Sequence, residues 1–308
     1  MSTMKAVRIH QYGPSDVLAF EDSPRPQPDA GVVLVRVRAS SVNPIDWKIR
    51  AGYLKQWMPI PMPFVPGRDV SGIVEAVGPG VSRFKKGDEV FGLVNGAYAE
   101  FVAAREEELA RKPRGITHAQ AAAIPLAALT AWQALFDKAQ LQAGQTVLVH
   151  GAAGGVGSFA VQFAKVKGAR VIATASQSNQ AFVKELGADQ AIDYAKERFE
   201  EAVRGVDVVF DTIGGETQQR SYAVLRRGGI LVSVAAPPSA DEAAKHGVRA
   251  EFLATQPDAT QLGQIAQLVE AGEVKPQVGA VMSLADVRRA HQMSETGHMR
   301  GKIVLSVA

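Results

Sequence analysis

Along "VVLVRVRAS" (32–40), Val33, Val35, Val37 and Ala39 alternate with Leu34, Arg36, Arg38 and Ser40. A period of two turns one set toward a core and predicts a strand. "SGIVEAVGPGV" (71–81) and "KKGDEVFGLV" (85–94) repeat the signal in shorter runs cut by Gly and Pro. "MPIPMPFVPG" (58–67) carries four prolines, which forbid a helix and predict a rigid loop. Many short strands with such turns predict a small barrel or sandwich at this end of the chain.

The period changes at Thr117. "THAQ" reads as a capping box, with Thr117 at the N-cap and Gln120 three residues on. Pro125 breaks that helix and "LAALTAWQALFDKA" (126–139) resumes it. Beyond Gln145, strand patterns at 146–150, 170–175, 190–194, 207–212 and 230–235 alternate with helical ones. The helices include "NQAFVKEL" (179–186), stopped by Gly187, and "ETQQRSYAVLRR" (216–227), stopped by Gly228. This alternation predicts an α/β domain with a doubly wound parallel sheet. "KIVLSV" (302–307) is a last strand, expected to return to the first domain. A chain of 308 residues fits two domains.

Composition narrows the partners. Hydrophobic residues make up 46% and charged residues 21%, ordinary for a globular protein. The net charge of +3 comes from 34 basic and 31 acidic residues that are interspersed, as in "AREEELARKPR" (104–114). No basic cluster marks a nucleic-acid surface, so no nucleic-acid partner is expected, and the surplus fits an anionic small ligand. The sequence has no cysteine, which excludes disulfides, thiolate catalysis and a sulfur-built zinc site, and fits a reducing cytoplasm. "MSTMKAVRIHQYG" lacks an apolar run of signal-peptide length. "AAAIPLAALTAW" (121–132) falls short of the ~20 residues needed to cross a bilayer. A soluble, cytoplasmic protein with no membrane partner is the expectation.

The richest chemistry lies in "HGAAGGVG" (150–157), between the strand "TVLVH" and a helix carrying Val156, Phe159, Phe163 and Val166 on one face. The dinucleotide register G-x-G-x-x-G places Ala152, Gly154 and Gly157 at its three positions. Gly154 would admit a pyrophosphate to the backbone, and Gly157 would let helix and sheet pack closely. The N–H groups of Gly155 and Val156, at the helix start, would then point at the phosphate. A tight turn without a ligand is the alternative, but the strand, helix and next strand fall where a nucleotide site needs them.

An NAD site places Asp or Glu about 20 residues past the glycines. "IATASQSNQ" (172–180) holds no carboxylate, while Ser176, Ser178 and Asn179 can donate to a 2′-phosphate. NADPH is therefore expected over NADH. Since no Arg or Lys stands there, a merely solvated turn stays open. Tyr194, at the end of the third strand, offers one more hydroxyl beneath the adenosine.

Further motifs run the length of the chain: "MKAVRIHQYG", "VNPIDWKIRAG" (42–52), "PFVPGRDVSGIVEAVGPGV" (63–81), "GDEVFG" (87–92), "LGADQAIDY" (186–194), "DVVFDTIGG" (207–215) and "GHMRGKIVL" (297–305). Together they resemble the medium-chain dehydrogenase/reductase superfamily, in particular its zinc-free quinone oxidoreductase branch, and "VNPIDWK" is similar to the enone and alkenal reductases. The resemblance implies a GroES-like β-barrel catalytic domain over residues 1–118 and 272–308. It implies a Rossmann NADP-binding domain over residues 119–271. Zinc-dependent relatives carry a Cys in the segment matching "SVNPIDW" and a His after the Gly of "PGRDVSG". Here those places hold Asn43 or its neighbours, and Arg68. His10, His118, His150, His246, His291 and His298 show no ligand spacing, so no metal is expected.

Without a Lewis acid to activate an alcohol, the implied chemistry is hydride transfer to acceptors that delocalise the arriving charge. Quinones and α,β-unsaturated carbonyls do so, and hydrogen-bond donors can stabilise the resulting enolate. The resemblance gives Asn43 the orienting of cofactor or substrate. It gives Lys48 the nicotinamide ribose or the enolate, and makes Tyr53 a second donor. Thr130 would lie near the nicotinamide and Arg300 would reach the cofactor phosphates. Each has a plainer reading: Asn43 as a turn residue before Pro44, Lys48 and Arg300 as solvated charges, Thr130 as a buried helix threonine. In several relatives a Lys stands at the place of Asn179. Trp47, Trp57, Met58 and Met62 would line a substrate mouth or pack a core. The alternatives are a non-catalytic NADP(H)-binding redox sensor and an enoyl-thioester reductase. A homodimer joined through "ILVSVA" (230–235) or "RAEFLATQ" (249–256) as edge strands is also implied, the alternative being an exposed edge.

Overall fold

The computed structural model describes residues 2–307, arranged in two compact units. One takes the chain as far as Leu126, with Pro257–Gly272 and the stretch from Pro276 onward; the other takes Ala127–Gln256 and Glu273–Lys275.

In the first unit, Val32–Val42 organises the sheet. It pairs antiparallel with Asp69–Val77, Phe101–Arg105 and Lys302–Ser306. Its 11 residues serve three partners because the register shifts at Leu34/Val35 and again at Val37/Ala39, which bends the strand. The order runs Val278–Ser283, Lys302–Ser306, Val32–Val42, Asp69–Val77, Glu89–Leu93, Leu109–Arg111. Val33, Val35 and Val37 are fully buried in the core of this unit, where Val70, Val74 and Leu305 meet them. The alternation read from residues 32–40 thus finds its core, and the tail strand does return to it. The run 85–94 yields a shorter strand, because Lys85–Asp88 turns through Gly87 at φ 94°. The proline-rich segment is a loop, tied by mutual backbone hydrogen bonds of 2.9 Å between Phe64 and Ile9.

In the second unit six parallel strands lie in the order Gln190–Asp193, Arg170–Ala175, Thr146–Val149, Val206–Asp211, Leu225–Ser233, Arg249–Phe252. This is the order of a dinucleotide-binding doubly wound sheet, reversing direction on either side of its first strand. Val147, Leu148 and Val149 are fully buried, as a strand covered on both faces requires. Gly155–Val166 buries Phe159 and Phe163, and the Phe163 ring meets that of Trp132 at 5.4 Å. Val166, expected on that face, is the last residue of its helix and stands exposed.

Two expectations are corrected. The helix expected over 216–227 is Gly215–Ser221, followed by a single tight turn, and a strand begins at Leu225. Leu225 pairs with Val206 and Ile230 with Val208, so Arg226–Gly229 bulges outward and Arg226 Nε donates to Asp207 at 2.6 Å. Arginines that read as a helix end are the exposed part of a bulge. Second, "ILVSVA" lies between Val206–Asp211 and Arg249–Phe252, so it is not an edge; Arg249–Phe252 is. Thr117 does cap His118–Ala122, with the reciprocal Thr117–Gln120 bonds of the capping box. Pro125 opens the next helix, Pro125–Trp132, which widens into a π-helical stretch over Gln133–Lys138.

Candidate functional site

Asn43 stands in extended conformation before Pro44–Arg50, and Pro44 fills the first helical position, where no N–H is needed. Asp46 reaches back to accept the Asn43 N–H at 2.8 Å. The Asn43 side chain is 2% exposed and held from both ends. Its Nδ2 donates to Asp69 Oδ2 at 2.8 Å, and its Oδ1 accepts from Lys302 Nζ. Lys302 also donates to Val42 O at 3.1 Å and to Asp69 Oδ2 at 3.2 Å. Asp69 further accepts from Ser41 Oγ and, through Oδ1, from the Leu126 N–H at 2.7 Å. With one amide hydrogen and the oxygen engaged, Asn43 keeps one hydrogen to donate.

A second buried network continues from Asp46. Tyr98 donates to Asp46 Oδ2 at 3.1 Å, His291 Nε2 lies 3.4 Å from the Tyr98 hydroxyl, and His291 Nδ1 lies 3.3 Å from Arg50. Arg50 pairs with Glu295 at 2.7 Å. Burial raises the Asp46 carboxyl to about 6, against the opposing effect of the Asn43 N–H. Burial, with Arg50 alongside, lowers His291 to about 3. Burial, reinforced by Asp46, pushes the Tyr98 phenol well above its ordinary value.

Lys48 and Tyr53 sit at the other end of this helix and meet at one ring. Lys48 Nζ lies 5.7 Å from the Trp47 ring centroid, and Tyr53 packs edge-on against the same ring at 5.9 Å. Tyr53 is 64% exposed and Lys48 half-buried. Trp57 and Met58 are exposed, so core packing does not account for them, whereas Met62 packs against the core.

In the second unit the glycine turn bends one residue before the first register position, Ala152. The left-handed residue is Gly151, at φ 65°, and Ala152 is buried, with its N–H donating to Thr174 O at 3.1 Å. A Cβ at Gly157 would lie 2.3 Å from Gly151 O and 2.7 Å from Ala152 Cα, so helix and turn touch there without room for a side chain. A Cβ at Gly154 would meet only Gly151 O, at 3.3 Å, leaving that face open. Gly155, Val156 and Gly157 form the first turn of the helix, where N–H groups have no intrahelical acceptor. His150 is wedged beneath, with Nδ1 3.0 Å from Thr174 Oγ1 and Nε2 3.0 Å from Ser221 Oγ. Burial lowers it to about 4, so it is a neutral spacer that fixes the turn to two neighbours.

Ser176 follows Arg170–Ala175, the second strand of this sheet. Its Oγ accepts from Asn179 Nδ2 at 3.0 Å and lies 3.2 Å from Ser178 Oγ. Tyr194 is exposed beyond the adjacent strand. Thr130 is buried, its Oγ1 2.7 Å from Thr255 Oγ1. Gln133 and Gln256 exchange side-chain-to-backbone bonds of 2.8 and 3.0 Å, so Pro125–Trp132 and its continuation grip the segment after Arg249–Phe252. Arg300 is exposed in the turn before Lys302–Ser306, in the first unit. The structure therefore gathers Lys48 with Tyr53, and Ser176 with Asn179. Asn43 stands instead with Asp69 and Lys302, neither of which the sequence reading singled out. Both lie inside quoted motifs, "PGRDVSG" and "MRGKIV", and their shared burial was the missing signal. Among the described residues no cluster of three or more His, Cys, Asp or Glu is arranged to hold a metal.

Comparisons with known proteins agree on the architecture. Residues 29–114 match the family model described as alcohol dehydrogenase GroES-like domain, and residues 186–305 the one described as zinc-binding dehydrogenase. The chain is 38% identical to 2-methylene-furan-3-one reductase of Solanum lycopersicum, covering 99% of this chain and 79% of that protein. It is 39% identical to the chloroplastic NADPH-dependent alkenal/one oxidoreductase of Arabidopsis thaliana, over 98% and 79% of the two chains. The solved quinone oxidoreductase of Coxiella burnetii superposes with a TM-score of 0.91 at 37% identity, covering all of both chains.

Proposed function

Since this chain belongs to the medium-chain dehydrogenase/reductase superfamily, in its quinone and enone oxidoreductase branch, we propose that it is an NADPH-dependent oxidoreductase. Its substrates are quinones or the activated C=C bond of small α,β-unsaturated carbonyl compounds. The observation that carries this reading is the clamp on Asn43. Zinc-dependent members place a thiolate in that segment, whereas here an amide is already bound by Asp69 and Lys302. The partner position holds the cation Arg68. These residues do not fit zinc, despite the description of the matching family model. A substrate that accepts charge into its own conjugated system suits such a site.

NADPH, when bound, supplies the hydride. Gly155, Val156 and Gly157 offer backbone N–H groups, and Gly154 an open face, to the pyrophosphate, beside the buried Ala152. Ser176, Asn179 and Tyr194 surround the adenosine end, Thr130 serves the nicotinamide end, and Arg300 the phosphates. Asn43 donates its remaining amide hydrogen to orient cofactor or substrate. Lys48 and Tyr53 donate to the oxygen on which enolate charge develops. Residues 1–118 and 272–308 form the catalytic domain in this proposal, and 119–271 the NADP-binding domain, whereas the compact units divide at Leu126 and Gln256 and leave Pro257–Gly272 with the first. Arg249–Phe252 is the edge through which a homodimer would form, with Phe252 exposed on it. Among the described residues no helix is long and apolar enough to cross a membrane. A sequence without cysteine fits the reducing cytoplasm, the location proposed.

The test is NADPH oxidation by chelator-treated protein with a small α,β-unsaturated ketone, with the product identified. Formation of the saturated ketone supports enone reduction. Turnover of quinones alone restricts the substrate class. NADPH binding without turnover of either overturns the enzyme reading in favour of a redox sensor.

A further inference from the structure

The loop after Arg170–Ala175 carries hydroxyls and amides, but no Lys or Arg lies between Ile172 and Gln180. A ribose 2′-phosphate placed there would meet no opposing charge from its own loop. The neighbouring strand supplies one. Gln190–Asp193 runs parallel to Arg170–Ala175 with Asp193 beside Ala175, so the turns that follow the two strands lie side by side. From the second of these turns Lys196 crosses to the first, where its Nζ donates to Gln177 Oε1 at 2.8 Å while its side chain stays 67% exposed. Two of its three ammonium hydrogens remain beyond that bond. Beside Gln177, Ser176 and Asn179 are already held in place by their 3.0 Å bond.

The buried acid of this corner is Asp193. Its side chain is 5% exposed, its Oδ1 accepts the Ala195 N–H at 3.1 Å, and its Oδ2 lies 4.0 Å from Lys196. Oδ2 is buried without a hydrogen-bond partner. The carboxylate therefore sits beneath the turn and helps to hold the lysine over it, while the ammonium faces outward beside the hydroxyls.

We propose that Lys196 is the residue that reads the 2′-phosphate of NADP(H), with Ser176 and Asn179 as its neutral partners. The inference rests on the NADPH reading above and names the residue that sets it. A charged hydrogen bond to phosphate is thus contributed from the turn after the adjacent strand, where the first turn has no cation of its own.

The experiment is calorimetric titration of wild type, Lys196→Met and Lys196→Arg with NADPH, NADH, 2′,5′-ADP and 5′-AMP. Lys196→Met should weaken NADPH and 2′,5′-ADP by about tenfold or more, and leave NADH and 5′-AMP within about twofold. Lys196→Arg should stay near wild type for all four. If wild type prefers NADPH and Lys196→Met keeps that preference, the assignment to Lys196 is overturned. Equal weakening of NADPH and NADH overturns it too, since that reports a distorted turn. A wild type that binds NADH as tightly as NADPH overturns the cofactor reading itself and the lysine's role with it, before any substitution is made.

Discussion

Asn43 Nδ2 donates to Asp69 Oδ2 at 2.8 Å, and Lys302 occupies the same carboxylate oxygen at 3.2 Å. The Lys302 and Asp69 side chains are 6% and 0% exposed, so neither charge has water to turn to. Lys302→Met strands a buried carboxylate, and Asp69→Leu strands a buried ammonium. Each is expected to cost about 3–5 kcal/mol in urea unfolding. The double variant should cost less than the sum, because it removes both charges together. Strict additivity would show that the two charges do not depend on each other.

Lys48 can be removed without disturbing the fold. Alanine is the best helix former, and Lys48 lies in the last turn of Pro44–Arg50, half-buried beside Trp47. Lys48→Ala should leave the melting temperature unchanged. It should lower kcat/KM toward a small enone by about 10²-fold, the scale of losing one donor at a developing oxyanion. Tyr53→Phe, with the ring and its packing retained, should lose less. Steady-state rates for Lys48→Ala equal to wild type would remove Lys48 from the chemistry.

Two glycines in one turn should respond differently to the same methyl group. Gly157→Ala drives a Cβ to 2.3 Å from a backbone oxygen, so helix or turn must shift, and both stability and NADPH affinity should fall. Gly154→Ala meets its neighbour at 3.3 Å with φ −74°, an ordinary value for alanine. It should lose at most about 1 kcal/mol of stability yet weaken NADPH by about tenfold or more, because the methyl occupies the face proposed for the pyrophosphate. Thermal melts and titrations of the two variants separate the effects. Tight NADPH binding by Gly154→Ala would place the cofactor elsewhere.

Stability should fall as pH drops from 7 to 5. His150 and His291 are held at about 4 and about 3 by burial, whereas in the unfolded chain they titrate near 6.5. Below that value the unfolded state binds protons that the folded state refuses, so each histidine removes up to about 1.4 kcal/mol per pH unit. Asp46 acts in the opposite sense. Its folded value of about 6 exceeds its ordinary one, so its contribution is complete at low pH and lost as pH rises through 6. Two histidines outweigh one carboxyl. Melting temperatures should therefore decline across this window, and His150→Gln should flatten the decline. A flat wild-type profile contradicts the burial of neutral imidazoles.

Much of the fold was legible because its signals are local. The alternation at Val33, Val35 and Val37, the Thr117–Gln120 box and the strand at Lys302–Ser306 each declare themselves within a few residues. The bulge at Arg226–Gly229 did not, since charged residues and glycines describe a helix end as well as an outward loop in a strand. The left-handed residue of the glycine turn is Gly151, a choice that residue type already favours. Asp69 with Lys302, and Lys196 with Gln177, stayed hidden for another reason. Each pair is joined by strand neighbours that chain order does not reveal, and a charge reads as solvated until its surroundings are known.

The strand that brings Lys302 to Asn43 also sets a timetable for synthesis. The parallel sheet lies wholly within residues 146–252, so every strand it needs has left the ribosome while Lys302–Ser306 is still to be made. Until then Val32–Val42 keeps one flank unpaired along Ala39–Val42, and Asp69 waits for its cation. An unpaired strand flank of this kind is where a nascent chain attracts chaperones or neighbouring copies. Synthesis of Lys302–Ser306 thus couples two events: the first unit's sheet gains its last antiparallel neighbour as the Asn43 side chain gains its second partner.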